Sequence, residues 1–122
     1  MERTIAKVCD ADRCYLISDH PYLEDEKSLI VERSTKVRDY SEVRITTAEL
    51  ETPQELTWKN FNTKQWNVNK LFIKHVYCRA MIAVPFMTQA LKFDPEDYQN
   101  VLMIGLGGGV MNNFLTIVDF IK

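Results

Sequence analysis

The residues best suited to chemistry lie near the C-terminal end, where Gly105, Gly107, Gly108 and Gly109 follow the apolar residues 101–104. Glycine adopts backbone angles that other residues avoid, and it lets a ligand approach the main chain closely. If a helix follows, the free N–H groups of its first turn favour a polar or anionic group. The pattern therefore predicts a loop that binds a nucleotide-like ligand.

Two elements must position this loop. The uninterrupted apolar residues 101–104 predict a buried parallel strand, and the apolar residues within 111–121 predict a helix. In an open α/β sheet, the first turn from strand to helix is where a nucleotide-like ligand binds. A glycine turn that binds no ligand is the alternative interpretation.

The spacing of the glycines narrows the choice of ligand. Gly105, Gly107 and Gly109 give G-x-G-x-G, whereas the dinucleotide fingerprint needs a glycine or alanine at the position of Val110. The P-loop needs a lysine where residues 112–113 are asparagines. An NAD-dependent oxidoreductase is therefore disfavoured, although it remains one alternative.

Residues 101–109 resemble motif I of the class I S-adenosylmethionine-dependent methyltransferases. Most of that superfamily has an acidic residue two places before the first glycine, where this chain has Met103. The apolar residue, together with the additional Gly108, is similar to the spermidine-synthase-like branch. The resemblance implies that S-adenosylmethionine is the cofactor. It also implies that the loop binds this cofactor through five residues: Gly105, Leu106, Gly107, Gly108 and Gly109.

A second stretch carries the same resemblance. Residues 77–81 are similar to the Y-x-R-x-M sequence that precedes motif I in spermidine-synthase-like proteins. In that branch the tyrosine lines the pocket for the substrate or for the sulfonium end of the cofactor. The resemblance therefore implies Tyr77 and Arg79 as further cofactor-binding residues. The alternative is a core tyrosine and a surface arginine.

The departures from that branch bear on the reaction. True aminopropyltransferases have an Asp-Glu pair shortly before the tyrosine and a glutamine after it, whereas residues 72–76 contain no acid and Cys78 follows Tyr77. A cationic polyamine needs carboxylates to hold it. A methyltransferase-like protein is therefore favoured, with an unknown protein side chain or small molecule as acceptor. The alternatives are an aminopropyltransferase that uses decarboxylated S-adenosylmethionine, a non-catalytic interaction module and the oxidoreductase.

The preceding segment predicts a long helix. Residues 71–91 repeat apolar side chains at a period close to 3.6, and the opposite side is nearly as apolar. Pro85 lies inside it and removes one helix hydrogen bond, which predicts a bend near Val84 and Pro85.

The N-terminal half predicts short antiparallel strands. Residues 5–9 and 14–18 predict two strands joined by a turn at residues 10–13, and His20 and Pro21 predict the end of the second. Residues 29–32 begin another strand. Further on, alternation places Val43, Ile45 and Thr47 on a buried face, and Leu56 and Trp58 suggest one more strand.

Together these elements predict an α/β fold with two domains. Residues 1–62 form a small antiparallel β domain, and residues 63–122 supply a helix and the first β-loop-α unit of a truncated, Rossmann-like methyltransferase sheet. Catalytic residues would then lie after Lys122, and the chain alone would be inactive. Because an unpaired strand at residues 101–104 invites pairing, we expect a homodimer.

Composition excludes several classes. The 122 residues include 15 basic and 17 acidic side chains, so nothing indicates a nucleic-acid partner. No apolar run reaches membrane-spanning length. The spacing of Cys9, Cys14 and Cys78 fits neither a disulfide framework nor a metal site, which predicts a reducing, cytoplasmic setting.

Overall fold

The computed structural model describes residues 2–25, 28–94 and 96–118, and the chain divides into two compact units, Met1–Asn69 and Lys70–Lys122. The first unit contains a four-stranded sheet, and the second contains two α-helices. All strand pairs in the sheet are antiparallel. The mixed α/β content and the antiparallel N-terminal unit agree with the sequence, whereas a parallel sheet is not present among the described residues.

The four strands follow one another as a meander. They are β1 (Arg3–Cys9), β2 (Cys14–Leu23), β3 (Leu29–Val37) and β4 (Tyr40–Glu49), and their order across the sheet is their order in the chain. The predicted turn at residues 10–13 is confirmed. Asp10 stabilises it, because its carboxylate accepts hydrogen bonds from the backbone N–H groups of Asp12 and Arg13 at 3.0 and 2.6 Å.

Cys9 and Cys14 form a disulfide bond, so the expectation that no cysteines pair is wrong. The register of β1 and β2 makes them cross-strand partners at the end of the hairpin, with Cα atoms 4.0 Å apart. The turn at residues 10–13 therefore brings together two cysteines whose spacing alone did not suggest pairing. Cys78 is free and buried. Cysteine spacing thus gives no support to a reducing compartment.

The prediction that His20 and Pro21 end the second strand is also wrong. β2 continues to Leu23, and Pro21 lies opposite Val31 of β3. The described pairs between β1 and β2 end at Arg3 and Asp19. Beyond that pair no described residue pairs with β2 on its β1 side, so the missing N–H of Pro21 costs no ladder hydrogen bond among the described residues.

The interior of the sheet is more polar than the alternation in β4 predicts. Val43 and Ile45 are 61% and 39% exposed, which contradicts their predicted burial, whereas Thr47 is fully buried as expected. The register of β3 against β4 shifts on either side of Lys36. A shift of this kind interrupts the strict two-residue period on which the prediction rested.

A small apolar core lies beneath the segment that follows β4. Val31, Leu50 and Trp66 form it, and Leu29 and Val68 pack against it. The segment contains a short 3₁₀ helix, Thr63–Gln65, and returns to the sheet where Leu50 bridges Val68. The strand predicted around residues 56–58 is absent, since residues 56 and 57 have no regular secondary structure and Trp58 begins a turn.

The second unit contains α1 (Val76–Met87) and α2 (Val110–Leu115). α1 is shorter than the predicted helix over residues 71–91, and it includes Pro85 near its C-terminal end. Residues 101–104 are described and form no strand, because no other strand is present in the described part of this unit to pair with them. The predicted helix over residues 111–121 begins at Val110 and ends at Leu115, and residues 119–121 lie outside the described residues.

Within the described ranges, neither helix has the length and apolar character needed to cross a bilayer.

Candidate functional site

The glycine loop has the backbone that its sequence predicts. Gly105, Gly107 and Gly109 have positive φ angles of 84°, 56° and 74°. Such angles strain residues that carry a Cβ atom, and glycine adopts them freely. Gly109 is the N-cap of α2 and donates its N–H to the carbonyl of Leu106 at 2.9 Å. The loop is therefore a tight turn that leads directly into a helix.

The space around these glycines is open. A Cβ atom built on Gly105, Gly107 or Gly109 would meet no other atom within 4 Å. The glycines are thus required by the backbone angles and not by close packing within the unit. Leu106 is 58% exposed, whereas Val110 is buried and anchors the start of α2. Residues 105–108 are exposed and Gly109 is buried, so the main chain is accessible to a ligand over residues 105–108.

One apolar cavity of about 230 Å³ adjoins the loop. It is bounded by α1, by residues 101–105 and by α2. Met81, Ile82 and Pro85 are its lining residues on α1, and Met111 and Leu115 are those on α2. With no charged side chain among its described lining residues, this cavity suits an apolar group.

Tyr77 and Arg79 lie on α1, but neither is among the described residues that line this cavity. Tyr77 is 56% exposed, and its ring lies 5.6 Å from that of His75. A hydrogen bond with Cys78, partial burial and the electrostatic interaction with Cys78 raise the pKa of Tyr77. Tyr77 is therefore not among the described residues that line the cavity beside the glycine loop, and its role as a cofactor-binding residue stays a prediction.

Arg79 has specific partners in the segment that precedes α1. Its Nε donates to the carbonyl of Ile73 at 2.7 Å, and its Nη2 donates to that of Lys74 at 3.0 Å. These bonds fix the backbone of the segment that leads into α1. They use two of the five N–H donors of the guanidinium, so a cofactor would have to bind through the remaining three, and that role also stays a prediction.

An aromatic loop in the first unit was not identified from the sequence. Trp58 is 99% exposed, and with Leu56 and Phe61 it lines a shallow cleft of about 320 Å³. Asn60 fixes the loop, since its side chain accepts from the N–H of Thr57 and donates to the carbonyl of Glu55, both at 2.7 Å. The sequence signal is a set of apolar residues around an asparagine turn, but their alternation predicts a strand instead.

No group of three or more histidine, cysteine or acidic side chains that could hold a metal ion occurs in the part of the chain that the structure describes. Comparison of the chain with protein-family models, with curated proteins and with solved structures gives no match. The geometry of the glycine loop is therefore the main observation that bears on function.

Proposed function

We propose that this chain is the N-terminal portion of a class I S-adenosylmethionine-dependent transferase, methyltransferase-like and with spermidine-synthase-like architecture. The observation that carries the proposal is the loop from Gly105 to Gly109, with three positive φ angles, open space at each of those glycines and a helix directly after it. Further β-α units would complete the Rossmann-like sheet and supply the catalytic residues.

The fit of the loop to this cofactor rests on its accessible main chain. Residues 105–109 would hold S-adenosylmethionine, whose sulfonium supplies an already activated group for transfer. The protein then has to position the acceptor in line and exclude water. The neighbouring cavity is apolar, and such surroundings favour the desolvation of an acceptor. Tyr77 and Arg79 remain the candidates for additional contacts.

The two alternative enzymes have less support. Val110 is 7% exposed and begins α2, so the third small residue of the dinucleotide fingerprint is replaced by a side chain that packs within the unit. Tyr77 interacts with His75 and Cys78, and neither provides the carboxylate that a polyamine would need.

A non-catalytic interaction module is the second candidate. The observation that favours it is the fully exposed Trp58, because tryptophan is enriched among residues that dominate protein interfaces. In that case the glycines would only allow the backbone to turn, and the loop would bind no cofactor.

Titration calorimetry of the chain with S-adenosylmethionine, its demethylated product and NAD separates these functions. We expect weak, saturable binding of the first two ligands and none of NAD. Absence of binding by all three, with a folded protein confirmed by circular dichroism, would favour the interaction module. Binding of NAD alone would establish the oxidoreductase.

A further inference from the structure

α1 is apolar on both of its sides. One side packs inside the second unit, where Cys78 is buried and Ile82 and Phe86 are half-buried. Within Val76–Met87 the sequence contains one charged residue, Arg79, and its guanidinium binds two carbonyls that precede the helix. A helix that is apolar all round is normally covered all round. We therefore expect the second, exposed side of α1 to be covered by a partner.

This second side, which we call the outer face, has the spacing of a helix-pairing seam. Tyr77, Ala80, Val84 and Met87 recur at intervals of three, four and three residues, and Val76 flanks them; all of these residues are exposed. Apolar residues at this spacing form the stripe along which two helices pack side by side. The small Ala80 near the middle permits close approach of a second helix.

We propose that the outer face of α1 binds the outer face of α1 in a second copy of this chain, as an antiparallel two-fold pair. In this arrangement Tyr77 faces Met87 of the second copy, and Ala80 faces Val84 of the second copy. Large side chains thus meet across the ends of the seam, and a small one meets a larger one at its centre. Antiparallel helices also place opposite ends of their dipoles together.

The exposed area supports a second copy as the occupant. The four larger residues of the outer face are between 52% and 79% exposed. Together they offer roughly 500 Å² in one copy and about 1,000 Å² in the pair, if each side chain contributes on the order of 200 Å² when fully exposed. That total is about the minimum area of a specific interface, as in a weak dimer. Because the outer face has no charge, the two-fold axis brings no like charges together.

The first test places a charge on the seam. Ala80→Glu keeps a good helix former in α1 but puts a carboxylate between the two copies. Sedimentation velocity should show a concentration-dependent dimer for the unaltered chain and a monomer for this variant. The matched control is Ala90→Glu, which makes the same change at an exposed position outside α1 and should leave the dimer intact. Ala80 and Ala90 have no part in the proposed cofactor-binding loop, so this test leaves that loop unaltered, although Tyr77 is both a seam residue and a candidate cofactor contact.

The second test truncates the seam without adding charge. Val84→Ala combined with Met87→Ala removes apolar contact area and favours the helix, so it remains informative if Ala80→Glu reduces helical circular dichroism. We expect the dimer dissociation constant to rise at least about tenfold. A monomer of the unaltered chain at hundreds of micromolar would overturn the inference. So would a dimer that both seam variants leave unchanged, because another surface would then hold it.

Discussion

Asp19 and Arg33 form a two-point ion pair between β2 and β3. The Nε of Arg33 lies 2.8 Å from one carboxylate oxygen of Asp19, and its Nη2 lies 3.0 Å from the other. Nη2 also donates to the carbonyl of Thr63 at 2.8 Å. The Asp19 side chain is only 3% exposed. The pair therefore connects two strands to the segment that covers the apolar core.

Replacing Asp19 should destabilise the first unit strongly. Asp19→Asn keeps the side-chain volume but leaves the Arg33 guanidinium without its counter-charge, and breaking a buried pair in this way costs about 3 kcal/mol. The matched control is Asp97→Asn, which breaks the ion pair between Asp97 and Lys92. The side chains of this pair are exposed, Asp97 to 48% and Lys92 to 64%. Exposed pairs contribute below about 1 kcal/mol. Equilibrium urea unfolding measures both changes, and equal effects of the two variants would contradict the structural role of Asp19.

The same pair predicts how stability depends on pH. Burial opposes ionisation of Asp19, but hydrogen bonds and the positive charge of Arg33 outweigh it and hold the pKa of Asp19 below its ordinary value of 3.8. A lowered folded-state pKa stabilises the fold at pH values above that ordinary value. The contribution should be lost as the pH falls below 3.8 and through the folded-state pKa.

Urea unfolding at a series of acidic pH values tests this dependence. The difference in unfolding free energy between the unaltered chain and Asp19→Asn should shrink as the pH falls through that window. Taking the difference removes the contributions of Glu2 and Asp10, whose pKa values are also lowered. A difference that stays constant down to pH 2 would mean that the carboxylate charge contributes nothing.

Gly107 offers a test of the cofactor loop in two substitutions. Gly107→Asn can keep the φ angle of 56°, because asparagine tolerates the left-handed region, and it adds a side chain where the space is open. Gly107→Val adds bulk and also strains the backbone. If the loop binds S-adenosylmethionine, both variants should lose binding in calorimetry, and the asparagine variant should keep its melting temperature. Retained affinity in the asparagine variant would argue against a ligand at this glycine.

Removing the Cys9–Cys14 disulfide should lower stability by a moderate amount. The bond closes a very short loop, for which the chain-entropy estimate is about 2 kcal/mol. We expect the double variant Cys9→Ser and Cys14→Ser to melt earlier and to exchange the β1 amide protons faster. The unaltered chain in reducing agent is the control and should match it. Identical melting of oxidised and reduced protein would show that the bond adds nothing to stability.

The β1–β2 hairpin and the glycine loop could be predicted because each is encoded locally. Alternating strand residues around Asp10 specify the hairpin, and the positive φ angles follow from the glycines themselves. The course of β2 through Pro21 could not be predicted, since it depends on where the pairing of β2 with β1 stops, at Arg3 and Asp19. The exposure of Val43 likewise depends on a register shift between strands that no local pattern reveals.

The candidate site also combines a locally encoded feature that could be predicted with tertiary surroundings that could not. The conformation of Gly105 is local, whereas the surroundings of Tyr77 and Arg79 depend on how α1 begins. The sequence pattern predicted a helix from residue 71, but α1 begins at Val76, and Arg79 binds the carbonyls of Ile73 and Lys74 just before it. Whether residues 101–104 pair as a strand depends on a neighbour that local residues do not specify.

The chain has two tryptophans, and both lie in the first unit in opposite surroundings. Trp66 is 8% exposed in the core, whereas Trp58 is 99% exposed on the aromatic loop. Their emission should therefore combine a blue-shifted component that collisional quenchers cannot reach with a red-shifted component that they quench freely. Loss of the first component reports unfolding of residues 1–69, and protection of the second reports any molecule that covers the loop. Residues 70–122 contain no tryptophan. Unfolding of the second unit alone would therefore leave this emission unchanged.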